Sequence, residues 1–220
     1  AACPVVKLPD SWDKYLQSLS SNFRSQVRRS KKRIETTESL RFRSLDPSEA
    51  ETFAHELIRL NRTRMSDKGE VSSLEDGAFR EFLVSVIPAI ALAGFAWMDV
   101  LERDEQVVGA ALNLAHGRSI YYYMGGFDES AKNLRPGTAL FARVLERGIE
   151  KGYSSYDFLR GAEPYKYRWG ATDTPTFNIS IYPQEFIRGR LAFRFDSLLN
   201  GGRTLFRRLR KKAGRFRARG

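Results

Sequence analysis

Cysteine is almost missing from this 220-residue chain. Cys3 stands alone, so no internal disulfide can form, and a reducing cytoplasmic setting is expected. Histidine is nearly as scarce. His55 and His116 are isolated in sequence, outside any metal-ligand spacing or Ser-His-Asp arrangement, and both read as structural. Long apolar runs are lacking too. The longest, Phe82 to Trp97, is interrupted by Ser85 and Pro88 and stays under the ~18 residues of a membrane span. The first apolar stretch is too short for a secretory signal, and no fixed-period repeat is visible. The opening Ala1-Ala2-Cys3 also lacks Met, which suggests a fragment whose upstream half is missing.

What is present is a soluble composition, 42% apolar and 29% charged, long enough for one cored domain with an appended piece. The net charge of +11 is concentrated. Arg24 to Arg33 holds six basic residues and Arg203 to Gly220 nine, both without an acid. Setting those fifteen aside leaves 22 Lys and Arg against 26 Asp and Glu, a body near −4. Such runs attract phosphates of nucleic acid, lipid or cofactor, and they equally suit a solvated face and a disordered tail.

Pro9-Asp10-Ser11 ahead of Trp12, Tyr15, Leu16 and Leu19 predicts a capped short helix. A polar helix follows over Asn22 to Ile34, then a strand at Leu40–Leu45. Asp46-Pro47-Ser48 opens a long helix with Phe53, Leu57, Ile58 and Leu60 on one stripe. Another helix is expected over Ser73–Ala93, disturbed at Pro88. Three strands joined by short polar turns come next: Phe95–Arg103, Gln106–Ala115 and Arg118–Phe127. Leu140, Phe141, Val144, Leu145 and Ile149 then recur at helical spacing, closed by Lys151-Gly152. A strand at Ser155–Leu159, a helical turn at Glu163–Gly170 and a last strand at Thr176–Tyr182 complete the pattern. The fold class is therefore α+β, a mixed sheet with an antiparallel meander. One strand–helix–strand crossover sets Tyr121–Phe127 parallel to Ser155–Leu159. The expected division is a remnant or linker over 1–20, the domain over 21–183, and a basic helical tail over 184–220.

Two clusters carry chemistry. Tyr121 to Phe127 ends a strand in Gly125-Gly126, and Asn133-Leu134-Arg135-Pro136-Gly137-Thr138 enters a helix. A basic residue, a glycine and free N–H groups at a helix start form an anion site, here between two parallel strands. The glycines also fit a bulge or splay, or a plain turn. The second cluster runs from Asp157 to Gly170. Lys166 and Arg168 suit phosphates, Tyr165 or Tyr167 could move a proton, and Asp157 or Glu163 could accept one. A surface Asp–Arg network around a core Trp169 fits these residues as well.

Taken together, Tyr-Tyr-x-x-Gly-Phe-Asp, the Pro-Gly helix start and Asp157-Phe-x-Arg-Gly-x-Glu-x-Tyr-Lys-x-x-Trp-Gly170 resemble a known family. It is the GNAT-like proteins of cellulose and exopolysaccharide biosynthesis, the CelD/BcsL group. The likeness runs from about Phe23 to Gly170, and these proteins are similar in turn to Fem-type aminoacyl transferases, which pair two GNAT-like halves. The family's upstream Leu-His-x-x-Arg-Trp is Leu60-Asn61-Arg62-Thr63-Arg64-Met65 here, which keeps the Arg and loses the His and Trp.

The resemblance implies a GNAT-like acyl-CoA N-acyltransferase fold and transfer of an acyl group from acyl-CoA to an amine or sugar acceptor, without a covalent intermediate and without a metal. It implies donor binding at Met124, Gly125, Gly126, Arg135, Gly137 and Thr138, the strand end holding the thioester and the helix start the pyrophosphate. Catalysis would rest mainly on proximity. Lys166, Tyr165 and Asp157 are the catalytic candidates, with the proton donor open between Tyr165 and Tyr167. Arg160, Glu163, Arg168 and Arg64 are candidates for substrate contact. Other readings are a catalytically degenerate half acting as a scaffold, and a module for anionic membranes. In the second, Leu205, Phe206 and Leu209 interrupt the basic tail over 203–220, which would put the protein peripherally at the inner face of the membrane. Nucleic acid is the weakest expectation, since no base-stacking pattern is recognisable.

Overall fold

Three consecutive strand-length stretches joined by short polar turns build the middle of the sheet. In the structure, a computed structural model that describes residues 2–67, 72–177 and 179, they are β3 (Ala96–Arg103), β4 (Gln106–His116) and β5 (Ser119–Phe127). Asp104 and Glu105, both in left-handed backbone, turn the first hairpin, and Gly117 turns the second. Seven strands lie in the order β2-β3-β4-β5-β6-β1-β7, with β1 at Ala2–Lys7, β2 at Leu40–Ser44, β6 at Ser155–Asp157 and β7 at Thr172–Pro175. Every neighbouring pair is antiparallel except β5–β6. That parallel pair is joined through α5 (Pro136–Glu150), the crossover the sequence pattern predicts.

One expectation changes. Residues 1–20 are not a linker here: β1 is bonded on both edges, pairing Val6 with Tyr156 and Cys3 with Thr174. α1 (Trp12–Ser18) then buries Tyr15 and Leu16. The strand is hard to read because Pro4, lacking an N–H, argues against a strand inside a sheet. A strand that the sequence pattern did not predict also forms at Thr172–Pro175. Most of the expected Thr176–Tyr182 strand and all of the 184–220 tail lie outside the described residues.

Helices cover both faces of the sheet. α1, α2 (Ser21–Glu35) and α5 enclose one core with Leu16, Phe23, Ile120, Val144, Leu145 and Tyr156. α3 (Ala50–Asp67) and α4 (Gly77–Leu92) enclose another with Phe53, Leu57, Leu83, Ile87, Val100 and Leu112. Each such side chain contributes about 1.5–3 kcal/mol on full burial, which outweighs the polar composition of α2. Pro88 stands inside α4 without ending it.

What positions the site is an early divergence in the sheet. β5 and β6 stay in register only from Ser119↔Ser155 to Tyr121↔Asp157. Beyond that point the Phe158 N–H turns away to the Pro4 carbonyl, and Leu159 takes a left-handed backbone. The Asp157 carboxylate accepts the Leu159 N–H at 2.7 Å and so holds the turn. β5 runs on to Phe127 against β4 alone, with Tyr123 the extra residue of a bulge. A wedge-shaped gap is left between the two parallel strands.

Candidate functional site

A cavity of about 330 Å³ opens at this gap. Gly125, Gly126, Phe127 and Ala110 line it from the sheet, and Arg135, Gly137 and Thr138 from the start of α5. Phe23, Tyr122, Phe141, Tyr165 and Trp169 form an aromatic wall. Arg64, Lys132, Arg135 and Arg168 bring positive charge, and no residue lining the cavity is acidic.

The α5 entrance is built residue by residue. The Asp128 carboxylate accepts the Ser130 N–H at 2.8 Å and caps a 3-10 turn over Glu129–Leu134. Hydrogen bonds from Ser130, side chain first, hold that carboxyl below its ordinary range. Arg135 follows at φ 54 and ψ 54, a left-handed conformation uncommon outside glycine, and Pro136 starts the helix. No side chain caps this start, so the N–H groups of Gly137 and Thr138 remain available. A β-carbon on Gly137 would meet only the Phe127 ring, at 4.0 Å. From α2, the Ser30 hydroxyl donates to the Leu134 carbonyl at 3.4 Å and Arg33 to the Asn133 carbonyl at 3.2 Å. The same helix lines a second cavity of about 580 Å³ with Arg29, Lys32 and Arg33, and Arg135 belongs to both.

The other side is set by α3. Its backbone passes so close to Gly126 that any side chain there would collide with Leu60 and Asn61. The Gly125 carbonyl, with no β6 partner, accepts Asn61 Nδ2 at 3.0 Å and one Arg64 nitrogen at 3.4 Å. The Ser72 hydroxyl donates to Asn61 Oδ1 at 3.1 Å and fixes that amide. Arg64 lies with its guanidinium carbon 4.9 Å from the Phe127 ring centre.

On the aromatic wall, Tyr165 stacks on Phe141 at 6.0 Å. Burial pushes its hydroxyl well up, so it stays protonated at neutral pH and can give a proton rather than take one. Burial raises Tyr122 as well, against the opposing charge of Arg64. Deeper still, the buried Tyr156 hydroxyl donates to Asn113 Oδ1 at 2.7 Å.

The structure therefore divides the candidates. Gly125, Gly126, Arg135, Gly137, Thr138, Tyr165, Arg168 and Arg64 meet at one cavity. Met124 does not line it, since its side chain packs on the α3–α4 core. Lys166 is turned inward instead. Its ammonium donates to the carbonyls of Arg160 at 3.1 Å and Gly161 at 3.3 Å, and pairs with Glu163 at 2.9 Å. Asp157 is committed to the Leu159 turn. Arg160 and Glu163 are exposed and outside the lining. α6 (Pro164–Arg168) explains the split: five helical residues put 165 and 168 on one side and 166 on another. His55 and His116 are exposed and outside the lining as well.

Sequence reasoning missed Phe23, Tyr122, Phe127, Phe141 and Asn61. Phe141 looked like one more apolar position of the α5 stripe, and nothing local distinguishes a wall residue from a core residue. Among the described residues no helix is long and apolar enough to cross a membrane.

The family model described as an acetyltransferase (GNAT) domain matches residues 21–167. No curated protein sequence matches the chain. Among solved structures, FemX superposes with a TM-score of 0.61 at 13% identity, covering 79% of this chain and 59% of that one. The C-terminal domain of a putative lysylphosphatidylglycerol synthetase from Agrobacterium fabrum gives 0.54 at 14%, covering 78% and 57%. L-PGS from Bacillus licheniformis gives 0.51 at 18%, with the same coverages. This chain thus spans less than two thirds of each, and at such identities the likeness is one of fold.

Proposed function

The chain belongs to the acetyltransferase (GNAT) family, and from that premise we propose that it transfers an acyl group from acyl-CoA to an amine (or hydroxyl) acceptor inside the cavity at the β5–β6 gap. The observation that carries the reading is the meeting of an unpaired strand edge, Gly125 to Phe127, with the uncapped helix start at Arg135–Thr138. Arg135 and the N–H groups of Gly137 and Thr138 suit the donor's pyrophosphate. The edge of β5 at 125–127, which lines the cavity without a β6 partner, suits a narrow, extended arm lying along the strand. The basic groove beside Arg135 gives further negative charge on the donor somewhere to lie.

The chemistry follows from placement. The acceptor nitrogen forms its bond to the acyl carbon as the carbon–sulfur bond breaks, and Tyr165 gives its proton to the departing sulfur. The proton lost by the attacking amine restores Tyr165. The aromatic wall excludes water from a thioester that hydrolysis would otherwise waste. Lys166 and Asp157 enter as positioning residues that hold the turn before α6, and so the angle at which Tyr165 faces the gap.

The string Asp157–Gly170, by its resemblance to the CelD/BcsL group, supports an acceptor in exopolysaccharide, cellulose or cell-envelope assembly, with the protein working on the cytoplasmic side. Calorimetric titration with acetyl-CoA tests the donor reading. The wild-type protein is expected to bind, and Gly137→Trp, which fills the open space at the helix start, to abolish binding. A wild-type protein with no affinity for acetyl-CoA would overturn it.

A further inference from the structure

Among the described residues three cations lining this cavity, Arg64, Arg135 and Arg168, make no ion pair, and Arg64 is the one of them that is not exposed. Its neighbours on α3 do not share the condition: Arg59 pairs with Glu56 and Arg62 with Glu75, both on the solvent side. Arg64 points the other way, into the cavity, and makes no ion pair among the described residues. Its Nε is buried without a hydrogen-bond partner. One terminal nitrogen reaches the Gly125 carbonyl at a long 3.4 Å, the guanidinium also hydrogen-bonds the uncharged Tyr122 hydroxyl, and its flat face rests on Phe127. A guanidinium stays charged at any physiological pH, and burying it unpaired is costly. A fork of donors held against an aromatic ring, with no acidic residue in the lining and Glu163 the nearby carboxylate, is a receptor for a carboxylate or phosphate.

The place of the residue says which substrate supplies that group. On the donor reading above, on which this inference rests, the phosphates of acyl-CoA lie at Arg135–Thr138. The uncharged thioester then lies along Gly125–Gly126, the part of β5 that Arg64 touches. An anion beside Arg64 therefore comes with the other reactant. We propose that Arg64 binds an anionic oxygen group on the acyl acceptor, so that the natural acceptor is an amine or hydroxyl compound carrying a carboxylate or phosphate. Asn61 supports this by taking the better share of the Gly125 carbonyl, at 3.0 Å, which leaves the guanidinium free to turn toward a ligand.

The test uses matched acceptors that differ in charge: glucosamine 6-phosphate against glucosamine, and glutamate against glutamine. Binding is followed by calorimetry on the full chain, with acetyl-CoA affinity measured separately. For wild type, at least one anionic member is expected to bind tenfold or more tighter than its neutral partner. The phosphate and carboxylate pairs tell the two sources apart. Arg64→Met is expected to erase that preference while leaving acetyl-CoA affinity within about twofold. Arg64→Lys, which keeps charge but loses the fork, retains part of it and covers the case in which the Met variant folds poorly. Equal binding of charged and neutral members by wild type overturns the proposal, as does a loss confined to acetyl-CoA in Arg64→Met. If wild type takes no acetyl-CoA yet binds the anionic member through Arg64, the donor reading falls and the anion site stands.

Discussion

A β-carbon placed on Gly126 would stand 2.4 Å from the backbone nitrogen of Asn61, while the Asn61 side chain holds the Gly125 carbonyl at 3.0 Å. One helix residue thus fixes the unpaired edge of β5 twice, once by contact and once by hydrogen bond. Gly126→Ala has to push α3 off the strand, because its clash is with backbone and not with a flexible side chain. The expected loss is about 1–3 kcal/mol or more, read as a lower urea midpoint at unchanged m-value.

Arg135 pays for its place with a left-handed backbone. Arg135→Gly is expected to raise stability by up to about 1 kcal/mol, since a non-glycine residue there costs roughly 1–2 kcal/mol and glycine adds unfolded-state entropy. The same change removes a cation from the helix start. Acetyl-CoA affinity is expected to fall about tenfold or more, and a variant that is both less stable and equally tight would contradict the role given to this residue.

Tyr165 and Lys166 are adjacent but separable. Tyr165→Phe is expected to lower kcat on the order of 10–100-fold with donor affinity unchanged. Because burial lifts the hydroxyl above its ordinary value of about 10, Tyr165 stays protonated through pH 9. The rise of kcat/KM with pH then follows the acceptor amine, and Tyr165→Phe lowers the curve without shifting it. Lys166→Met leaves the carbonyls of Arg160 and Gly161 and the carboxylate of Glu163 without their donor, and costs about 1–3 kcal/mol in a melting experiment.

Asp128 makes stability depend on pH in a predictable direction. Its folded carboxyl titrates below the unfolded value of about 3.9, so its contribution is fully present above that value. The contribution disappears as pH falls through the folded value. Asp128→Ala is expected to cost about 1 kcal/mol at pH 7 and progressively less as pH falls below about 3.9, measured by denaturant melts across that range.

The meander, the crossover and the helix start at Pro136 were all legible in the sequence. Three apolar stretches over 96–127 have one solution once the turns at Asp104-Glu105 and Gly117 are set, and Arg135-Pro136-Gly137 gains its meaning from lying between two parallel strands. The Asp157–Gly170 cluster was not legible in the same way. Residues 165, 166 and 168 were all candidates, and only the short α6 separates the two that face the cavity from the one that braces the turn. Asn61 and Phe127 were invisible for another reason: each acts through a partner far away in sequence, and no local pattern records that meeting. β1 was lost to Pro4.

That first strand has a consequence for how the molecule is made. Its partners are Ser155–Asp157 and Thr172–Pro175, so the strand at Ala2–Lys7 is completed only by strands about 150 residues or more further along the chain. At 5–20 residues per second the wait is on the order of 10–30 s, with both edges of β1 unpaired throughout. The parallel strand that frames the gap, β6, is bordered by β1, so the gap takes its shape only after residues 155–175 have been made. Nascent chains shorter than about residue 175 are therefore expected to lack a working gap and to offer bare strand edges to chaperones.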